Sequence, residues 1–437
     1  MDAIRSVWDY VKFFQFPLLL GFSIPLFIIG GSGLVIYALL LGVYVIVGDL
    51  FFGEDTRHYE GTWRHPNLLI WMEILSQPLM ATVVIMFAWM LGLPNGIDLF
   101  GIGAAVQSLT GFDPVTAHAA HDHIGTLLGG LGLAAGAGAI AGVVIGHNLV
   151  HRTYDLKSVV AARIGSAFGM FSYFTIRHPY GHHNLVGTPA DPSWARRGES
   201  FWRFRLRSVI GQYRMTWALE KQRLGKLGEP LWSWRNGALQ GWGIEVLIAT
   251  MFFHAAGAWD LLAFLAIGIL AHTGLEAANY IEHGAGADAD PAVPAAPCLG
   301  RCPPHDLLAG LGHLAPLAPS FRCPGGRIRA ATHGPQMGRA MTTPWGYLGS
   351  GFVALFPAWW NRVITPRLLE WDEKFATPAE RELAARENLR SGIPELILAG
   401  RRYYEKQGRP VPFIRPGDAL DSYLSPDAPA GLVTAHT

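Results

Sequence analysis

The stretch from Phe13 to Phe52 carries no charge before Asp49. A bilayer crossing needs roughly 20 apolar residues for ~30 Å of hydrocarbon, so this run is read as two spans turning at Gly30-Gly31-Ser32-Gly33. The surrounding sequence agrees. Residues 1–151 contain four basic residues, Arg5, Lys12, Arg57 and Arg64, too few to solvate a soluble shell. Further spans are expected at Leu68–Leu93, Ile124–Gly146, Gly241–Ala256 and Leu261–Asn279. Glu73 near the start of the third suggests that this end lies close to the interface. The fourth is rich in Gly and Ala, which permit close helix packing. The expected fold is all-α, a polytopic membrane protein of about six transmembrane helices.

Charge orients these spans. The segments after the first, third and fifth hold no Lys or Arg, whereas residues 152–235 hold 14 against five Asp or Glu. By the positive-inside rule that loop and both termini are cytoplasmic, making a multi-pass inner-membrane protein. The first apolar stretch runs on as a full span, so no cleavable signal peptide is expected. With 34 Lys+Arg against 33 Asp+Glu there is no basic surplus for nucleic acid. Three cysteines exclude a disulfide framework. The charged tail suggests a helix at Pro378–Leu398 and a disordered end rich in Pro, Ala and Asp.

Histidine supplies the chemistry. His147-Asn-Leu-Val-His151 places two imidazoles on one face of a helix continuing the fourth span. His178-Pro-Tyr-Gly-His182-His183 adds three, and His283 ends the sixth span in Asn-Tyr-Ile-Glu-His. All three groups follow even-numbered spans, so they meet at one membrane face. Six imidazoles exceed the needs of one tetrahedral zinc and suit two transition-metal ions. Asn148 stands where a zinc protease needs its general-base Glu. No Glu-x-x-His occurs, against a carboxylate-bridged di-iron bundle. His118, His121 and His123 precede the fourth span, across the bilayer, and are read as an interfacial or solvated cluster.

These residues resemble the alkane monooxygenase family of integral-membrane non-haem di-iron hydroxylases, relatives of membrane fatty-acid desaturases. The likeness extends through Val186-Gly187-Thr188-Pro189-Ala190-Asp191-Pro192, Arg197-Gly198-Glu199 and Asn279-Tyr280-Ile281-Glu282-His283. It resumes at Trp345-Gly346-Tyr347-Leu348 and Thr365-Pro366-Arg367-Leu368-Leu369-Glu370-Trp371-Asp372. Desaturases space their second box as His-x-x-His-His, so the extra residue here favours the hydroxylase branch. The resemblance implies two iron ions held by His147, His151, His178, His182, His183 and His283, with O2 used to hydroxylate a terminal methyl. An alkane or acyl chain would enter from the membrane lipid, and electrons would come from rubredoxin and rubredoxin reductase. Asp191, Glu276 and Glu282 are candidate outer partners of the imidazoles, and Glu245 is an intramembrane acid of functional interest. Arg196, Arg197, Arg203, Arg205 and Arg207 are a candidate docking patch for an acidic donor, against a plain topology signal. A transporter would leave the boxes unexplained, and a desaturase is the nearest enzymatic rival.

One stretch departs from the family. Its further box, Arg-His-Ser-x-His-His, is missing beyond His283. From Gly284 to Ala340, Ala, Pro and Gly supply 30 of 57 residues, Phe321 is the one aromatic, and Lys and Glu are absent. A compensated frameshift in a GC-rich gene accounts for this composition; true divergence is second, and a new site from Cys298, Cys302, His305 and Cys323 third. The chain is therefore divided into a histidine-box membrane domain (residues 1–283), an anomalous segment (284–342) and a C-terminal region with its tail (343–437).

Overall fold

The computed structural model describes residues 10–11, 14–51, 66–120, 123–186, 188–283 and 347–412, and among them every regular element is a helix. The anomalous segment, His121 and the tail beyond residue 412 lie outside the described residues. The described residues divide into two compact units, one from those within 10–180 and 216–275, the other from those within 181–215, 276–283 and 347–412.

In the first unit the opening apolar run forms α1 (Gln15–Gly21), α2 (Ser23–Ile29) and α3 (Ser32–Phe51). The turn falls where the glycines required it, with Gly30 and Gly31 at φ +74° and +77°. The third expected span is α4 (Pro66–Gly92). Short helices α5 (Ile102–Thr110) and α6 (Pro114–Ala119) follow. The fourth is α7 (His123–Ala139), a π-helical turn (Ile140–Ile145) and α8 (Gly146–Val150). After α9 (Leu156–Ala167) come α10 (Phe174–Arg177), a second π-turn (His178–His182) and α11 (His183–Leu185). Helix α12 (Phe201–Lys226) leads to the last two expected spans, α13 (Gly237–Ala256) and α14 (Ala258–His283).

Among the described residues three stretches, Asn67–Asn95, Ile124–Val150 and Ala258–Glu282, are long and apolar enough to cross a membrane. The other three expected spans fall on helices as well, with Gln15–Ile29 and Ser32–Gly48 apolar but shorter. The small residues of α7 do what their size permits. A Cβ on Gly129 would meet the Val35 backbone of α3, and one on Gly130 the ring of Phe87 on α4. The core of this unit runs through Phe27, Phe87, Trp89, Phe252 and Phe264.

His118 corrects an expectation. It is buried rather than solvated: Nε2 lies 2.8 Å from the Phe27 carbonyl oxygen, to which it donates, and the ring stands edge-on to Trp89. The reason is packing between helices distant in sequence: α6 tucks against the α2–α3 turn, where a Cβ on Gly30 would strike the His118 ring.

The second unit adds α15 (Tyr347–Ala354), α16 (Pro357–Lys374), α17 (Pro378–Arg390) and α18 (Pro394–Lys406). The single helix expected at Pro378–Leu398 is thus two. Gly392 at φ +71° and Pro394 end one helix and start the next. Thr377 and Glu380 form a capping box at the start of α17. Tyr280, Phe201, Phe204 and Trp360 build this unit's aromatic core.

Candidate metal centre

The first box follows a π-turn, and the second is a π-turn. Such one-residue expansions of an α-helix recur at functional sites because they re-aim side chains. His147 lies on α8, His151 caps it, and His178 opens the second π-turn. The Nε2 of His151 lies 3.3 Å from that of His147 and 3.2 Å from that of His178. The three rings stand edge to face, with centroids 4.4–5.1 Å apart.

That spacing decides what the cluster suits. Nitrogens about 2.0–2.1 Å from one ion stand about 2.8–3.0 Å from each other in octahedral and about 3.3–3.4 Å in tetrahedral geometry. A neutral imidazole nitrogen is either donor or acceptor, so three converging Nε2 atoms satisfy one another poorly and a cation well. The donor set fits a first-row transition ion. Phe174 stacks on His178 at 4.5 Å and 18°, giving the cluster an apolar wall.

His182 and His183 continue the same helix, His183 five residues beyond His178, the interval at which a π-turn closes its hydrogen bonds. Asp191, fully buried, accepts from His182 Nδ1 at 2.7 Å, and Ser193 donates to it through both N and Oγ. This fixes the tautomer of His182, so that Nε2 is the ring atom that would ligate a metal. His283 is the last residue of α14, and its side chain lies outside the described residues. So do the side chain of His123 and the whole of Cys298, Cys302, His305 and Cys323.

The remaining candidates divide. Glu276 is fully buried and accepts from Gln212 Nε2 at 2.6 Å and Asn279 Nδ2 at 3.5 Å. Glu282 is half-buried. Glu245 accepts from both the amide and the hydroxyl of Ser172, at 3.0 and 2.6 Å, so it holds the turn that leads into α10.

Two members of the proposed arginine patch are internal braces instead. Arg197 is buried and grips both oxygens of Asp372 at 2.6 and 2.8 Å, plus Asn388 at 2.9 Å. Arg207 grips both oxygens of Glu199 and donates to the carbonyls of Pro192 and Trp194. An arginine already committed to a carboxylate has little to offer a partner. Of the five, Arg203 alone is exposed.

Residues beyond the histidine patterns also line this region. Glu73 of α4 is buried, and its Oε2 pairs with Arg152 at 2.6 Å. Its Oε1 accepts from Asn148 at 3.2 Å. The sequence placed Glu73 near the interface; burial against Arg152 is what allows an acid there.

Comparison with known proteins supports the pattern. Residues 124–310 match the fatty acid desaturase family model. The chain is 32% identical over 255 residues to alkane 1-monooxygenase 1 of Alcanivorax borkumensis, 55% of this chain and 60% of that protein. It is 36% identical over 158 residues to the alkane 1-monooxygenase of Ectopseudomonas oleovorans, 35% of this chain and 38% of that protein. It is 24% identical over 261 residues to the hydroxylase component XylM of the xylene/toluene monooxygenase of Pseudomonas putida, 57% and 67% of the two chains. The matched region thus spans 60% or less of those two alkane monooxygenases. Histidine spacing, family model and relatives point the same way: the chain matches the fatty acid desaturase model over residues 124–310 and is similar to alkane 1-monooxygenases over about half of its length.

Proposed function

We propose that the chain is a membrane-bound monooxygenase. It would convert the terminal methyl of an alkane or similar apolar chain to a primary alcohol, using O2, two electrons and two protons and releasing water. His147, His151, His178, His182, His183 and His283 would hold two iron ions, whose chemistry is the activation of O2. Electrons would arrive from rubredoxin, itself reduced by rubredoxin reductase. Placement in the inner membrane, with both termini cytoplasmic, follows from the charge of the loops. The observation that carries this reading is the convergence of three Nε2 atoms at 3.2 and 3.3 Å. Around it the chain's own residues orient and enclose: Asp191 fixes the His182 tautomer, and Phe174 covers His178.

A second reading rests on a sequence observation. Residues 284–340 hold no Arg-His-Ser-x-His-His box, so the chain as written is a family scaffold with an incomplete iron site. The test is iron content and product analysis of the full chain in lipid nanodiscs, with rubredoxin, its reductase and octane. We expect fewer than two irons per chain and slow formation of 1-octanol. Two irons with rapid turnover would remove the second reading, and no iron with no product would remove the first. An alkene from an acyl substrate would make the chain a desaturase.

A further inference from the structure

We propose that Glu73, with Gln77 one turn further along α4, positions the first histidine box; the proposal rests on the metal-centre reading above. The box His147-Asn148-Leu149-Val150-His151-Arg152 alternates two kinds of residue. Each histidine is followed by a side chain bonded to Glu73, Asn148 at 3.2 Å and Arg152 at 2.6 Å. One carboxylate therefore ties down the turn at the same four-residue interval that separates the two imidazoles. Asn148 lies within α8 and Arg152 just past its His151 cap, so gripping 148 and 152 holds the end of the helix from both sides and restrains the backbone that carries 147 and 151.

Gln77 extends the hold upstream. It is buried, and its Nε2 donates to the Ala141 carbonyl at 3.1 Å, inside the π-turn that precedes the box. A π-turn is a fragile place to hang a ligand, because its extra residue can be absorbed by slippage in either direction. A fixed donor on one of its carbonyls opposes that slippage. Space there is tight as well, since a Cβ on Gly165 of α9 would overlap the Gln77 side chain. Glu73 and Gln77 are themselves four apart, so one face of α4 holds both the expanded turn and the ligand turn after it. Nothing in this arrangement requires either residue to touch a metal. Each acts through the backbone that carries the imidazoles.

The experiment uses the purified full chain in nanodiscs, with Co(II) alone as a spectroscopic probe of the imidazole site. In Glu73→Gln the Asn148 bond survives and the charge facing Arg152 is lost. We expect Co(II) to bind about tenfold more weakly, the scale set by loss of an outer-shell partner, with altered d–d bands. Asp98→Asn serves as control: Asp98 accepts from Trp89 Nε1 and the amides of Gly103 and Ala104, away from the box. That variant should lower the melting temperature and leave Co(II) binding unchanged. Wild-type Co(II) affinity and spectrum in Glu73→Gln would overturn the proposal. If the wild type itself binds no Co(II), the metal reading fails, and hydrogen exchange still judges the clamp. Amides of residues 146–152 should then exchange faster in Glu73→Gln than in wild type, and unchanged exchange there would overturn the clamp.

Discussion

Asp191 and Gly198 show how single residues of the second unit serve different ends. Asp191 spends both oxygens on His182 and Ser193. Asp191→Ala should weaken metal binding about 10- to 100-fold, measurable by competition with a chelator. Asp191→Asn, which can still accept from Nδ1, should lose less. Gly198 sits at φ +78°, and a Cβ there would overlap the Ser391 carbonyl oxygen. Gly198→Ala should therefore cost at least the ~1–3 kcal/mol of a left-handed non-glycine residue, read as a lower melting temperature. The Arg-Gly-Glu run was legible in the sequence as a motif but not as a mechanism. Arg197 meets Asp372 across 175 positions, a distance no local pattern spans. The burial of His118 was hidden for the same reason, since its acceptor, Phe27, belongs to a different helix.

At the scale of elements, the spans were legible because apolar runs and glycine turns are local signals. The break between α17 and α18 was equally available, since Gly392 and Pro394 announce it, although the charged periodicity runs straight across. The two π-turns were not legible, because no composition marks them. The second box nonetheless carries a clue. It is one residue longer than His-x-x-His-His, and the backbone takes up that length as the turn His178–His182. Deleting Tyr180, an exposed residue of that turn, should restore an α-helical repeat. Because the π-turn absorbs the extra residue, the histidines after it would keep nearly their phase relative to His178, with His183 now at the i,i+4 interval of an α-helix. We expect such a variant to remain helical by circular dichroism and to bind metal with no more than a modest loss of affinity. Loss of most metal binding would mean that the wider turn itself shapes the ligand set.

For the molecule as a whole, position in the bilayer is written in exposed aromatics. Trp232 and Trp234, 77% and 79% exposed, precede α13, and Trp259, 80% exposed, follows it. Helix α13 has 20 residues, about 30 Å at 1.5 Å per residue, so a crossing at α13 would set the tryptophans one hydrocarbon thickness apart, at the depth such rings prefer. In single-tryptophan variants, lipids brominated near the headgroup should quench Trp232 and Trp234 strongly, and those brominated at the chain ends weakly. The reverse would move the membrane boundary off α13. The buried bond of Arg197 to Asp372 and Asn388 bears on biosynthesis. A ribosome that has just finished the second histidine box releases an arginine whose partners are not yet made, and a lone buried charge is costly. The second unit cannot close until the reading frame beyond the anomalous stretch has been translated correctly as far as residue 388. Any shift left uncorrected would deny Arg197 its bonds to Asp372 and Asn388, and with them the closure of the second unit.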